Sequence, residues 1–560
     1  MRMRSWNFAL MLICSFAGGV TLIPPAALAA PSRQAEEQTL KPRVVITDDP
    51  ELDDNNTVIR AILYSSDMRI EGLVYVSSQF HWRGDGKGTT QYIAGREYTR
   101  MGLCPCTAWR FSDDEHFIDS IVDAYAQAYS NLKVHDRDYP SPAELKAKIK
   151  WGNVDFDGDF SHDTDGSNLI KSLLLDDVAG PLYVTAGGGE STIARALKSI
   201  YDEYAKTPQW EAIRSKVSRK LIIIRSGDQD GTGASYIAPN WPEVRQYDFT
   251  GINFGYGAQD RAAPQDKIYF TPEWTSENIL SRGPLGALYR VWGDGKQMVK
   301  GDRTDYFGLS GYTAEQLQKM GYMVWMHPEP KGSFLGEGDT PVFLNLVDNG
   351  LRAYQNPAWG GWGGWMRAGR TNFSAFGAPP PVLPADTPGV ARGLAPAGSD
   401  ANRPKTVGNK AGSISMMNFH LPPVPPRTAA IAANFFAAAE NDFAARLKWS
   451  VTPKYSDANH PPAVSVEGPL AIAARPGSTV RLKGRVSDPD HDAVHVIWWQ
   501  YNDAGTYPGD IALSDAETLA TSFRVPDDAK PGQTINVILQ GTDTGTPSLT
   551  RYQRLVVTVQ

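Results

Sequence analysis

Val44-Val45-Ile46-Thr47-Asp48-Asp49-Pro50-Glu51-Leu52-Asp53-Asp54 is an apolar, β-branched run that stops in four aspartates and one glutamate within seven residues. The run reads as a buried strand, and its acids then stand at the carboxyl edge of a sheet. Carboxylates this close repel and raise one another's pKa, so they stay ionised together only when solvated, hydrogen-bonded or bound to a cation. An all-oxygen donor set favours a hard ion, calcium or magnesium, over zinc. The bland alternative is a solvated helix start at which Asp53 and Asp54 complement the dipole.

Further apolar runs at 70–76, 182–184 and 221–224 alternate with helical patterns as far as about Phe373. Strands separated by helices predict a mostly parallel α/β sheet flanked by helices over 40–375, with its chemistry at the strands' carboxyl ends. The stretch 377–413 is dominated by Pro, Gly and Ala and reads as a linker or long surface loop. An Ala-rich helix is expected at 427–449, and 461–560 reads as the short alternating strands of a C-terminal immunoglobulin-like β-sandwich. There, Trp498, Trp499 and Tyr501 make a carbohydrate platform if exposed and core if buried. Asp488-Pro489-Asp490-His491-Asp492 reads as a polar turn, because the twelve-residue calcium-loop pattern lacks its central Gly and final Glu.

Residues 1–29 carry Arg2 and Arg4, an apolar stretch and then Ala27-Leu28-Ala29, the order of a signal peptide cleaved near Ala29. The expected location is periplasmic or secreted. No later segment offers about 20 uninterrupted apolar residues, so no membrane span is expected. The formal charge of −7 becomes more negative once the leader's arginines go, which argues against a nucleic-acid polymer and fits a neutral carbohydrate or glycoside. With Cys14 in the leader, Cys104-Pro105-Cys106 is a reduced or locally bridged loop rather than a disulfide scaffold.

The acidic stretch resembles the inosine-uridine nucleoside hydrolase family, whose first strand ends in Asp-x-Asp-Pro-Gly-x-Asp-Asp; Thr47 and Glu51 stand where the family has its first Asp and its Gly. The resemblance implies that Asp49 and Asp54 bind calcium, that Asp49 also activates the metal-bound water, and that Asp53 holds sugar hydroxyls. Gly180-Pro181-Leu182-Tyr183-Val184-Thr185-Ala186-Gly187-Gly188-Gly189 resembles the family's second element, with Ala186 nearest the ligating carbonyl; a glycine run alone could equally be an anion-binding turn. Gly336-Glu337-Gly338-Asp339-Thr340-Pro341 resembles the late element, so Asp339 either completes the calcium shell or caps a helix. The histidine that precedes this aspartate in the family is absent.

The motif order more closely resembles a bacterial nucleoside-hydrolase-like group, some members described as cellulose-binding, that carries a C-terminal immunoglobulin-like domain. Its carrying residues include Ser77-Ser78-Gln79-Phe80-His81-Trp82, Gly227-Asp228-Gln229-Asp230 and Gly360-Gly361-Trp362-Gly363-Gly364. His81 is read as a proton donor beside Asp49, with Gln79 and Trp82 as sugar contacts, against a loop His bonded to backbone. Asn240 and Trp241 fall where the family holds sugar hydroxyls. The expectation is an exported calcium-dependent glycosidase acting on an N- or O-linked, furanosyl bond; a homo-oligomer is compatible with it. The rival is a non-catalytic carbohydrate-binding protein. A dehalogenase-type phosphatase fits less well, because Asp48-Asp49-Pro50-Glu51 lacks its Asp-x-Asp-x-Thr motif.

Overall fold

The computed structural model describes residues 41–100, 102–250, 254–368, 382–389 and 426–560. The expected leader and most of the 377–413 stretch lie outside them. Seven strands build the first sheet: β1 (Arg43–Asp48), β2 (Arg69–Tyr75), β3 (Ile149–Trp151), β4 (Leu182–Ala186), β5 (Leu221–Arg225), β6 (Arg245–Thr250) and β7 (Trp365–Arg367). Their order is β3-β2-β1-β4-β5-β6-β7, parallel throughout except for β6 with β7. The chain builds outward from β1 to β3 and then returns to β4 on β1's other side. A topological switch therefore lies between β1 and β4, where parallel sheets open a crevice at their carboxyl ends.

Helices α1 (Leu52–Leu63), α2 (Phe117–His135), α3 (Asp165–Leu175), α4 (Ser191–Tyr204) and α5 (Trp210–Lys220) cover both faces. Alternate residues of a strand point to opposite faces, and β1 shows it. Val44 and Ile46 pack with Ile59 and Ile62 of α1 and Ile121 of α2. Val45 packs with Ile170 of α3, Leu197 of α4 and Val217 of α5. Both faces are thus apolar, which is why these strands read as continuous hydrophobic runs.

The Ala-rich segment forms α6 (Pro426–Val451). Seven further strands follow: β8 (Ala463–Val466), β9 (Ala471–Ala474), β10 (Thr479–Ser487), β11 (Val494–Gln500), β12 (Ala520–Arg524), β13 (Thr534–Asp543) and β14 (Thr550–Val559). They pair as β12-β10-β8 and β11-β13-β14-β9, the three-and-four division of an immunoglobulin-type sandwich. Val480, Leu482, Trp498, Phe523, Val537, Leu539, Leu555 and Val557 share its core. Trp498 is 1 % exposed and Tyr501 fully buried, so these residues are core and not an open platform. Asp488 accepts the Asp490 and Asp492 amides at 2.8 and 3.0 Å, the geometry of a polar turn.

The sandwich also packs on the first sheet's surroundings. Tyr501, Ile538 and Tyr552 join the core that holds Phe435 of α6 and Trp362. Buried Arg554 donates to the Leu351 and Gly360 carbonyls at 2.6 and 2.8 Å. Gly350 has a positive φ and a Cβ there would stand 1.7 Å from the Tyr552 carbonyl, so only glycine allows this approach.

Candidate functional site

β1 delivers Asp48 as its last residue, Pro50 ends the ladder, and α1 begins two residues later with Asp53 and Asp54 in its first turn. One strand-to-helix junction at the switch point therefore places the whole acidic stretch. Across it, the backbone at 187–189 extends the sheet: Gly187 donates to the Thr47 carbonyl and Gly189 to the Ser77 carbonyl, both at 2.8 Å. A Cβ on Gly187 would lie 1.9 Å from Asp48 Oδ1 and 2.6 Å from Asp339 Oδ2. The glycine run is thus a cradle that lets backbone close on carboxylates.

Two groups meet there. Asp48, Asp54 and Asp339 bring one carboxylate oxygen each within 4.8 Å of the others, all three buried. Asp49, Glu51 and His81 form the second group, with His81 Nδ1 3.2 Å from Asp49 Oδ1. The sequence expectation grouped Asp49, not Asp48, with Asp54 and Asp339. The geometry brings Asp48 closest to them: Asp48 keeps the parity of Val44 and Ile46, whereas Asp49 lies past the strand's end with one oxygen near His81.

Burial is the main cause that pushes the carboxyls of Asp48, Asp54 and Asp339 well above the ordinary range. The charge of neighbouring aspartates adds to it at all three. Burial also raises Asp53 to about 6 against hydrogen bonds from Tyr256 and the Gly338 amide, the latter at 2.9 Å. Both oxygens of Asp48, both of Asp49 and Oδ2 of Asp54 are buried without a hydrogen-bond partner, as are both polar atoms of the Gln79 amide and Oε1 of Gln229. Unpaired buried polar atoms are costly. So many at one strand edge fit a ligand that supplies positive charge and donors, and the oxygen-only Asp48, Asp54 and Asp339 set fits a hard cation.

Several expected contacts lie elsewhere. The Ala186 carbonyl accepts the Ser226 amide at 3.0 Å, along the sheet towards β5. Trp82 is fully buried, 5.8 Å from Tyr98 and 5.9 Å from Phe156 ring to ring. Its backbone pairs with Trp109, and the extended chain that turns His81 towards Asp49 turns Trp82 away. Asn240 donates to the Tyr236 and Leu383 carbonyls at 2.8 and 2.9 Å. Trp241 is 1 % exposed against Trp210, in the core on the α3–α5 side. The helical stretch 233–240 carries both away from the end of β5. Trp241→Ala is therefore expected to cost about 3–5 kcal/mol of stability and leave ligand affinity of the folded protein unchanged, as denaturant unfolding and a binding titration would establish.

Asp48 and Glu51 of the acidic stretch and Gln229 of the 227–230 motif carry no individual role in the sequence, and Tyr256 carries no local signal. Gln229 donates to the Gly187 carbonyl at 3.2 Å. The Tyr256 ring stacks on Phe307 at 5.1 Å and meets Trp325 edge-on, forming an aromatic wall above Asp53. Cys104 and Cys106 are disulfide-bridged in the loop that packs on Trp82. Among the described residues no helix is long and apolar enough to cross a membrane.

Residues 43–366 match a family described as cellulose-binding Sde182, nucleoside hydrolase-like domain. Residues 479–559 match one described as cellulose-binding protein Sde0182, C-terminal domain. A solved structure of a nucleoside hydrolase-related hypothetical protein from Saccharophagus degradans, described as associated with carbohydrate metabolism, is similar over 93% of this chain and 100% of that one. Their identity is 23% and the TM-score 0.62, which establishes a common fold. No curated protein matches the chain.

Proposed function

We propose, for a chain that belongs to the family of Sde182 cellulose-binding proteins with a nucleoside hydrolase-like domain, that the carboxylate cluster is the active site of an exported, calcium-dependent glycosidase. The bond is N- or O-glycosidic and the sugar a furanose. One observation carries this reading: both oxygens of Asp48 and Oδ2 of Asp54 lie buried without a hydrogen-bond partner at the switch point of a parallel sheet, with His81 Nδ1 3.2 Å from Asp49 Oδ1.

Asp48, Asp54 and Asp339 are the residues that would hold the ion. A calcium-type cation, when bound, supplies charge that draws in sugar hydroxyls and lowers the pKa of water. Asp49 takes the proton of the attacking water, and His81 fixes the orientation of that carboxylate. The water oxygen bonds to the anomeric carbon, and the bond to the aglycone breaks with its electron pair on the leaving group. Gln79 and Asp53 hold sugar hydroxyls. The surrounding negative charge favours the oxocarbenium-like transition state. Export is supported by the order of residues 1–29 and by the Cys104–Cys106 bridge, which suits an oxidising compartment.

Glycan binding without turnover is the second reading, favoured by the description of both matched families as cellulose-binding. Incubating the mature protein with nucleosides and furanosyl glycans, with calcium or with chelator, separates the two. The proposal expects release of free sugar that stops on chelation and resumes when calcium is restored. Glycan binding with no release from any substrate would select the second reading.

A further inference from the structure

Arg60 stands on α1 downstream of Asp53 and Asp54 and is fully buried. Its Nε and Nη2 meet the Glu337 carboxylate at 2.5 and 3.0 Å, and Nη2 also meets Glu440 of α6 at 2.7 Å. Nη1 donates to the Ala439 carbonyl at 3.3 Å, and the guanidinium lies over the Phe443 ring at 3.9 Å. α6 therefore grips the guanidinium through a carboxylate, a carbonyl and an aromatic face.

On the other side, Glu337 accepts from the Tyr289 hydroxyl at 2.6 Å and from Thr340 Oγ1 at 2.9 Å. Glu337 lies two residues before Asp339, and Thr340 follows it. Asn56 of α1 adds a bond to the Gly336 carbonyl at 2.9 Å. The loop that carries Asp339 is thus tied to the helix that carries Asp54 by one buried guanidinium. A single carboxylate already balances that guanidinium's charge. A second buried one costs desolvation, and what it adds is a fixed place for the fork.

We infer that Arg60 and Glu440 are positioning residues for Asp339, so that the C-terminal helix sets the geometry of the carboxylate cluster and with it the affinity for a divalent cation. This rests on the proposed cation site, and the test separates the two. In the full chain, Glu440→Gln keeps shape and an acceptor but removes the charge; Arg60→Lys keeps charge but loses the fork. Asp442→Asn serves as control, because it breaks a second buried ion network of α6, with Arg446 and Arg551, which meets α1 at its far end through the Leu63 carbonyl and not through Glu337.

Calcium affinity is read by calorimetric titration, and amide hydrogen exchange of residues 336–344 is read in metal-free protein. Glu440→Gln is expected to weaken calcium binding about 10- to 100-fold and to speed exchange at 336–344 relative to the sheet. Asp442→Asn should lower stability with both readouts unchanged. Wild-type readouts in Glu440→Gln, or equal losses in Asp442→Asn, would overturn the inference. If wild type takes up no calcium, the cation reading falls, and the exchange comparison still decides whether Glu440 positions the loop. If Glu440→Gln does not fold, Arg60→Lys carries the same comparison.

Discussion

Asp49→Asn is expected to lower kcat by about a hundredfold to ten-thousandfold, the usual loss on removing a general base, while calcium still binds. The amide keeps the side chain's shape and can still face His81, but it cannot accept a proton from water. Because Asp48, Asp54 and Asp339 bring their carboxylate oxygens together without Asp49, the proposed cation site predicts that binding and turnover separate in this variant. Sugar release and calcium titration on one preparation check both halves. Near wild-type hydrolysis would put the base elsewhere; loss of calcium together with activity would return Asp49 to the cation shell.

Asp442→Asn is expected to cost about 3–5 kcal/mol, the typical penalty for breaking a buried ion pair from one side. Asp442 sits between Arg446 and Arg551, each at 2.7 Å, with its side chain 2 % exposed. Burial works to raise its carboxyl, but Arg551 and Arg446 outweigh that and hold it below the ordinary value of 3.8. The sign of the pH dependence follows. The native carboxylate stays ionised where the unfolded one takes a proton, so this stabilisation is complete above 3.8 and is lost as pH falls below it. Denaturant unfolding at neutral and acid pH should show a steeper acid loss in wild type than in the variant. Equal slopes would mean that the pair does not carry the linkage.

The sheet was legible because both its faces are covered, which makes β1, β4 and β5 continuous apolar runs. The acidic stretch was legible because its charge density has few uses without a counter-ion. Strand parity carries a further signal: Asp48 continues the face of Val44 and Ile46, towards α1 and the Val342 and Phe343 that follow Asp339. The same alternation separates His81 from Trp82. Asn240 and Trp241 were misplaced because a helical stretch intervenes after β5. Tyr256 and Glu440 reach the cluster only through long-range packing, and neither has a local signal in the chain.

Titration of metal-free wild type, Asp48→Asn and Asp49→Asn with calcium tests the central claim most directly. The expected result is a single calcium per chain in wild type, retained in Asp49→Asn and lost in Asp48→Asn. No uptake by wild type, or uptake that Asp48→Asn leaves intact and Asp49→Asn abolishes, would contradict the assignment of Asp48, Asp54 and Asp339 as the cation site.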